Sequence, residues 1–237
     1  MNARNTLILA LILIFLFTFE VELLAAPGGK IANAFFKSWW GKLILAILFI
    51  VFLPILIPQM IGEWRKKKDT KKKLRQLAEL DDNFEILKLD ARVSGVFKRV
   101  HRAWDKEDLE EASGLMTAWY WQNQQLLFLN DWKEKGLVNV CRVREVNFAE
   151  PIHIKATNEP NFENSRVSFL ISADMEDYLK ESATDRIVEG AKGFNTEKSI
   201  WTFVLKNGNW LLENISQENS YSKFISMPNS IPQMNTA

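Results

Sequence analysis

The sequence predicts an α+β domain that follows a hydrophobic membrane anchor. Between residues 77 and 135 apolar side chains recur at helical spacing, and after Gly136 they recur at every second position, as in strands. Helices followed by a run of strands are typical of α+β domains with an antiparallel sheet. The chain has 237 residues, of which 47% are apolar, which is enough for one globular domain and an anchor.

Two apolar segments precede the domain. Leu7–Phe19 is about half as long as a bilayer requires, which predicts a signal peptide over residues 1–26, with an uncleaved first anchor helix as the alternative. After a short linker at 27–42, Leu43–Ile61 contains no charged residue. Trp39 and Trp64 flank this segment, and indole rings favour the membrane interface. We therefore expect one transmembrane helix at 43–62.

A basic collar at 63–76 follows the second segment. The positive-inside rule places the residues after Ile61 on the cytoplasmic side. Each basic residue near an anionic lipid surface contributes about 1 kcal/mol of attraction, so the collar is predicted to contact headgroups, unless it serves only as a topology determinant. Its members are Arg65, Lys66, Lys67, Lys68, Lys71, Lys72, Lys73 and Arg75. After Gln76 acidic residues outnumber basic ones, which argues against nucleic acid as a partner.

The domain is predicted to span 77–217 and to begin with two long helices. The first runs from Leu77 to Trp104 and ends or bends at Asp105, and the second runs from Leu115 to Lys135. The second helix has two apolar faces, so it is either buried on both sides or leaves an aromatic surface open for a partner. The candidate partner surface consists of Trp119, Tyr120, Trp121, Phe128 and Trp132.

The second half of the domain predicts five or six antiparallel strands. A slip in the alternation after Val140 indicates a bulge, and Asn207-Gly208 predicts a type I′ hairpin. A binding pocket inside the fold would be lined by Leu170, Trp201 and Phe203. Residues 218–237 are rich in polar residues and proline, which predicts a flexible tail.

Three stretches resemble the Tim forty-four-like domain, found in the membrane tether of the mitochondrial import motor and in bacterial membrane proteins. They are Lys98–Met116, Lys135–Val143 and Ile200–Gln217, of which the last is the most specific. The resemblance implies a cone-shaped fold, cystatin-like or nuclear-transport-factor-like, with an apolar pocket. It also implies membrane-associated binding of protein or lipid, without established catalytic residues, at a bacterial inner membrane. The glycine-rich linker of bacterial relatives is reduced to Gly28-Gly29, and the chaperone-binding segment of the mitochondrial tether has no counterpart here.

Motifs for catalysis are missing from the sequence. There is no phosphate-binding loop, no nucleophile elbow and no paired-cysteine metal motif, and Cys141 is the single cysteine. We predict a non-catalytic binding module without cofactor or metal, whose partners are anionic lipid and an unidentified protein or peptide. The alternative is a small-molecule or lipid-tail binder, or an isomerase-like enzyme that would use Asp174 or Glu189 in the pocket.

Overall fold

Helices precede strands along the chain, and together they form the predicted α+β fold. The computed structural model describes residues 38–232, with only the backbone described at positions 45, 49, 52–56 and 59. The predicted signal at 1–26 and most of the linker at 27–42 lie outside these residues. The chain divides into two compact units at the Gly62–Glu63 boundary.

Helix α1 (Trp39–Ala78) contains this boundary. In the second unit its side chains at Thr70, Leu74 and Leu77 are fully buried, which is the spacing of one helix face. The transmembrane helix predicted at 43–62 falls within α1, but no helix of the described residues combines the length and the apolar character needed to cross a bilayer.

Helix α2 (Ile86–Asp105) is amphipathic and ends at Asp105, as predicted. Its start differs from the prediction, because the expected continuous helix from Leu77 to Trp104 is interrupted after Ala78 by a 3₁₀ turn at Asp82–Phe84. Asp81 is the physical reason: its carboxylate accepts a hydrogen bond of 2.8 Å from the Asn83 backbone N–H and so caps the new turn. The chain therefore changes direction between the two helices.

The predicted second long helix consists of three helical pieces. After a 3₁₀ turn at Leu109–Leu115, α3 (Ala118–Gln124) begins behind the capping residue Thr117. A π-helical turn at Gln125–Leu129 then leads into α4 (Asn130–Glu134). Since a π turn inserts an extra residue, the side chains on either side of it are rotated relative to each other.

The sheet has four long antiparallel strands, each paired with its neighbour in sequence. They are β1 (Leu137–Lys155), β2 (Arg166–Glu181), β3 (Ile187–Lys206) and β4 (Asn209–Gln217). The β3–β4 hairpin turns at Asn207 and Gly208, whose φ angles of 50° and 72° fit the predicted type I′ turn.

The prediction of five or six strands was wrong, because Ile187–Val188 and Ile200–Leu205 were counted as two strands. Strand β1 shifts register three times, beginning between Val143 and Glu145, yet it stays paired with β2 along its whole length. Both of the segments counted separately belong to the single strand β3. A bulge adds one unpaired residue and inverts the alternation without ending the strand.

Each face of the sheet has its own apolar cover. The main core lies between one face and the helices, and includes Phe97, Trp201 and Phe203. On the other face Ile152, Leu170 and Ile200 form a small cluster covered by a C-terminal helix, α5 (Tyr221–Ser226).

The C-terminal segment up to residue 232 therefore differs from the predicted flexible tail. Tyr221, Phe224 and Ile225 pack on the small cluster. Beyond them Ser230 pairs with β1, because its N–H donates to the Ile154 carbonyl at 3.0 Å and its carbonyl accepts from the Ala156 N–H at 2.8 Å. Apolar burial and edge pairing hold this segment despite its polar composition.

Candidate functional site

The eight basic residues of the predicted collar lie on two opposite faces of α1. One face is solvent-exposed and carries basic residues spaced three or four positions apart, which we call the outer stripe: Arg65, Lys68, Lys72 and Arg75. The other four, Lys66, Lys67, Lys71 and Lys73, are half-buried and bind the domain itself. Headgroup contact stays a prediction for the collar, and the outer stripe is the part of it whose side chains are exposed.

Lys67 and Lys71 both bind the Glu150 carboxylate of β1, each at 2.8 Å. Burial opposes the charge of Lys67, but the hydrogen bond and charge of Glu150 outweigh it and raise the lysine pKa. Burial also opposes the charge of Glu150, and its two lysine partners reverse that effect and lower the pKa of this carboxyl. These ion pairs fasten α1 to the sheet.

Asn229 joins α1, β1 and the C-terminal segment through its side-chain amide. Its Oδ1 accepts hydrogen bonds from Lys66 Nζ at 2.7 Å and from the Ile154 N–H at 3.0 Å. Its Nδ2 donates to Asp69 Oδ2 at 2.8 Å and to Thr70 Oγ1 at 2.9 Å. Partial burial at this junction lowers the pKa of Lys66 to about 8.

Replacing Asn229 with alanine should lower the free energy of unfolding by about 2 kcal/mol, because four partners lose their hydrogen bonds at once. Urea unfolding of the full chain in mild detergent, followed by circular dichroism, measures this loss. Asn214→Ala is the matched control, since Asn214 is exposed and its side chain bonds only Ser216 among the described residues. Equal stability of the two variants would contradict the role assigned to Asn229.

The candidate aromatic surface divides into exposed and buried members. Trp119 is 69% exposed and Phe128 is 38% exposed, whereas Tyr120 is only 5% exposed. Trp121 and Trp132 are half-buried and pack against the main core. The neighbouring Leu126 and Leu127, in the π-helical turn, are also exposed but were not among the predicted contact residues. The open apolar patch therefore consists of Trp119, Leu126, Leu127 and Phe128.

The predicted pocket residues do not come together. Trp201 and Phe203 lie on the sheet face that meets the helices, whereas Leu170 pairs with Ile200 on the opposite face. Phe203 is fully buried in the main core. Trp201 borders an open space.

That space is a cleft of about 660 Å³ between α2, α4 and the sheet. Its apolar walls include Val100, Trp104, Trp132, Met175 and Trp201. The Trp104 and Trp132 rings meet edge to face, with centroids 5.7 Å apart. The volume is within the usual range for small-molecule sites, which combine apolar walls with a few polar groups.

His101 and Asn139 are polar side chains at the walls of the cleft. His101 Nδ1 lies 2.8 Å from the Phe97 carbonyl, and because a carbonyl only accepts, this nitrogen carries the proton. Burial lowers the His101 pKa to about 4, so its ring is neutral at neutral pH. Asn139 is 5% exposed, and its Nδ2 has no hydrogen-bond partner among the described residues.

Cys141 and Asp177 face each other across β1 and β2, and both border the cleft. Burial raises the pKa of the Cys141 thiol, and the nearby carboxylates of Asp177 and Asp105 raise it further. Burial also raises the pKa of Asp177, and the negative charges of Glu197 and Glu189 add to that increase. A protonated thiol beside a carboxylate is a poor nucleophile, so this arrangement favours binding over covalent chemistry.

The two carboxylates considered for isomerase chemistry occupy different positions. Asp174 does not border the cleft and binds Arg144 at 2.9 Å, whereas Glu189 is exposed at the mouth of the cleft. Among the described residues no three His, Cys, Asp or Glu side chains are grouped so that they could hold a metal ion.

Comparisons with known proteins add no functional information. No family model and no curated protein matches the chain. It is similar to the solved intermembrane space region of the chloroplast protein ARC6, at 8% identity and a TM-score of 0.37, over 53% of this chain and 92% of that one. It is also similar to AclR from Streptomyces galilaeus, at 10% identity and a TM-score of 0.22, over 59% of this chain and 87% of the other. Similarities this distant do not indicate a function for this chain.

Proposed function

We propose that the chain is a membrane-anchored, non-catalytic binding module with its C-terminal domain on the cytoplasmic side of a bacterial inner membrane. The outer stripe carries this proposal. Its side chains project from α1 on the side opposite to the buried Leu74 and Leu77. Lys68 lies over the Trp64 ring at 4.8 Å, and Arg65, Lys72 and Arg75 have no ion-pair partner among the described residues. A row of unpaired cations on one helix face is suited to anionic headgroups.

The anchor in this proposal is Leu43–Ile61. The segment has no charged residue, and a helix satisfies its own backbone hydrogen bonds in lipid. Large apolar side chains of the first unit, including Ile47, Val51 and Met60, are exposed along α1. Exposed apolar surface of this extent favours an apolar environment over water. The outer stripe follows directly in sequence, where the positive-inside rule expects cytoplasmic residues.

The binding role of the domain is supported by two open features. The cleft can accept a small molecule, and the patch at Trp119, Leu126, Leu127 and Phe128 can accept a protein or peptide partner. A cone-shaped Tim forty-four-like domain would have an apolar pocket, and membership of that family remains part of the proposal. A neutral His101 and a protonated Cys141 favour binding over the isomerase-like alternative.

Lysine modification in sealed membrane vesicles tests anchor, orientation and stripe together. The experiment treats inverted inner-membrane vesicles, and the same protein in detergent, with a membrane-impermeant acylating reagent. Lys68 and Lys72 should be modified about five times more slowly in the vesicles, because about 1 kcal/mol of attraction to lipid headgroups shields each residue. Lys133 and Lys192, which are exposed and lie away from the stripe, are the internal controls and should react equally fast in both conditions. Mass spectrometry of the digested chain measures the four rates.

Each part of the proposal has its own contradicting result. Recovery of the intact chain in the soluble fraction without detergent would exclude the anchor. Fast modification of Lys133 in right-side-out vesicles would show that the domain lies on the opposite side of the membrane from the one proposed. Equal rates for Lys68 in vesicles and in detergent would show that the outer stripe does not contact lipid.

A further inference from the structure

The mouth of the cleft carries negative charge that no neighbouring cation neutralises. Asp177, Glu189 and Glu197 border it, and none of the three forms an ion pair within the described residues. The nearby cations are already engaged, since Lys198 binds Glu218 at 3.2 Å and Arg142 lies 3.7 Å from Asp105. Like charges held close together without a counter-ion favour a positively charged ligand.

Asn139 independently indicates that the cleft has an occupant. The side chain is almost completely buried, borders the cleft and has an amide nitrogen without an acceptor in the described part of the chain. Strand pairing places it opposite Leu179, and Leu179 opposite Glu189, so all three lie on the sheet face that forms the cleft. An unsatisfied buried donor costs about 1 to 3 kcal/mol, which a ligand oxygen at this position would recover.

The aromatic walls suit the same class of ligand. Trp104 and Trp132 are half-buried, so they present ring surface to the cleft while packing on the core. Tryptophan is the aromatic side chain that attracts cations most strongly, and quaternary ammonium ions are often bound by such groups. An anionic ligand would be repelled by the three carboxylates, and a plain lipid tail would leave both them and Asn139 without partners.

We propose that the cleft binds a small organic ammonium ion with an apolar body and an acceptor oxygen. The cation would lie between the tryptophan walls and the carboxylates of Asp177, Glu189 and Glu197, and the oxygen would accept from Asn139 Nδ2. This inference rests on the proposed function as a binding module and supplies the ligand class for it.

A pair of probes that differ only in charge tests the ligand class. Benzoylcholine carries a quaternary ammonium, an aromatic ring and an ester oxygen, and 3,3-dimethylbutyl benzoate has the same shape with carbon in place of nitrogen. Titration calorimetry on the full chain in detergent should give a dissociation constant at least about tenfold lower for benzoylcholine than for the neutral ester. The difference is expected because the tryptophan rings and the carboxylates both attract the ammonium group.

Two cleft variants separate the contributions. Glu197→Gln should weaken benzoylcholine binding by about fivefold and leave the neutral probe unchanged. Asn139→Leu should weaken both probes by about fivefold, because both carry the ester oxygen, while the free protein becomes no less stable since its unpaired donor is gone. Glu134→Gln, an exposed carboxylate outside the cleft, is the matched control and should change neither constant.

Equal affinity for the two probes would overturn the cationic ligand class. If neither probe binds, the cleft is not a site for this ligand class. A lower free energy of unfolding in Asn139→Leu would show that the amide of Asn139 stabilises the folded protein instead of binding a ligand. The lysine-modification experiment in vesicles tests the anchor and the outer stripe and does not depend on ligand binding in the cleft. A negative result there would overturn the membrane proposal, whereas a negative titration would overturn only the ligand class proposed for the cleft.

Discussion

Gly190→Ala should lower the free energy of unfolding by about 4 kcal/mol, because an added Cβ meets backbone atoms and an unfavourable φ at once. Gly190 has a φ of 76° and lies opposite Tyr178 in the β2–β3 pairing. A Cβ built on it would lie 2.5 Å from the Asp177 carbonyl oxygen and 2.9 Å from Tyr178 Cα. Neither atom can move without displacing β2. Urea unfolding of the full chain in detergent measures the loss.

Gly208→Ala is the control that separates the two causes. Gly208 has a similar φ of 72°, but a Cβ added there would meet no atom within 4 Å. Its replacement should therefore cost only the left-handed backbone term, about 1 to 2 kcal/mol. Equal losses at the two positions would show that the close approach of β2 to Gly190 has no energetic consequence.

The order and type of elements were predictable because they depend on local patterns. Asn207-Gly208 adopts the expected turn because both residues tolerate positive φ. Asp105 was correctly placed at a helix end. The strand count was not predictable from β3, because a bulge, such as the register shift between Met175 and Asp177 in the β2–β3 pairing, and a strand end produce the same slip in the apolar alternation.

The division of the basic collar could not be read from the sequence. Lys67 and Lys68 are adjacent and chemically identical, yet one binds Glu150 and the other faces solvent beside Trp64. The difference depends on partners that lie more than seventy residues away along the chain, such as Glu150 and Asn229. Only the three- and four-residue spacing of the exposed members was a local signal.

The cleft did leave a signal that the sequence analysis missed. On β2 the apolar residues Phe169, Ile171, Ala173 and Met175 alternate, and Asp177 continues the same phase. An acidic residue in a core-facing phase indicates either a strand that leaves the core or a polar site. On β1, Asn139 lies opposite Leu179, a pairing that only the tertiary register reveals.

Acidification should selectively destabilise the chain through His101. In the unfolded chain His101 takes up a proton near its ordinary pKa of 6.5, whereas in the folded protein burial delays this to about pH 4. Between these values the unfolded state binds more protons, so the stability present above pH 6.5 is lost as the pH falls towards 4. The separation of the two pKa values corresponds to a loss of about 3 kcal/mol at the acid end.

His101→Phe isolates this contribution from other groups that titrate in acid, such as Glu150, whose pKa is also shifted on folding. Phenylalanine retains a ring next to Phe97 and Trp201, where the histidine ring centroid lies 4.1 Å and 5.3 Å from theirs. Urea unfolding at a series of pH values should show a shallower acid loss in the variant, and the two curves should run parallel above pH 6.5. Parallel curves over the whole range would mean that the folded His101 ring accepts a proton as readily as the unfolded one. The cleft beside it would then be wet enough to accommodate charge, and its walls would contribute less to holding an ammonium ion than their burial suggests.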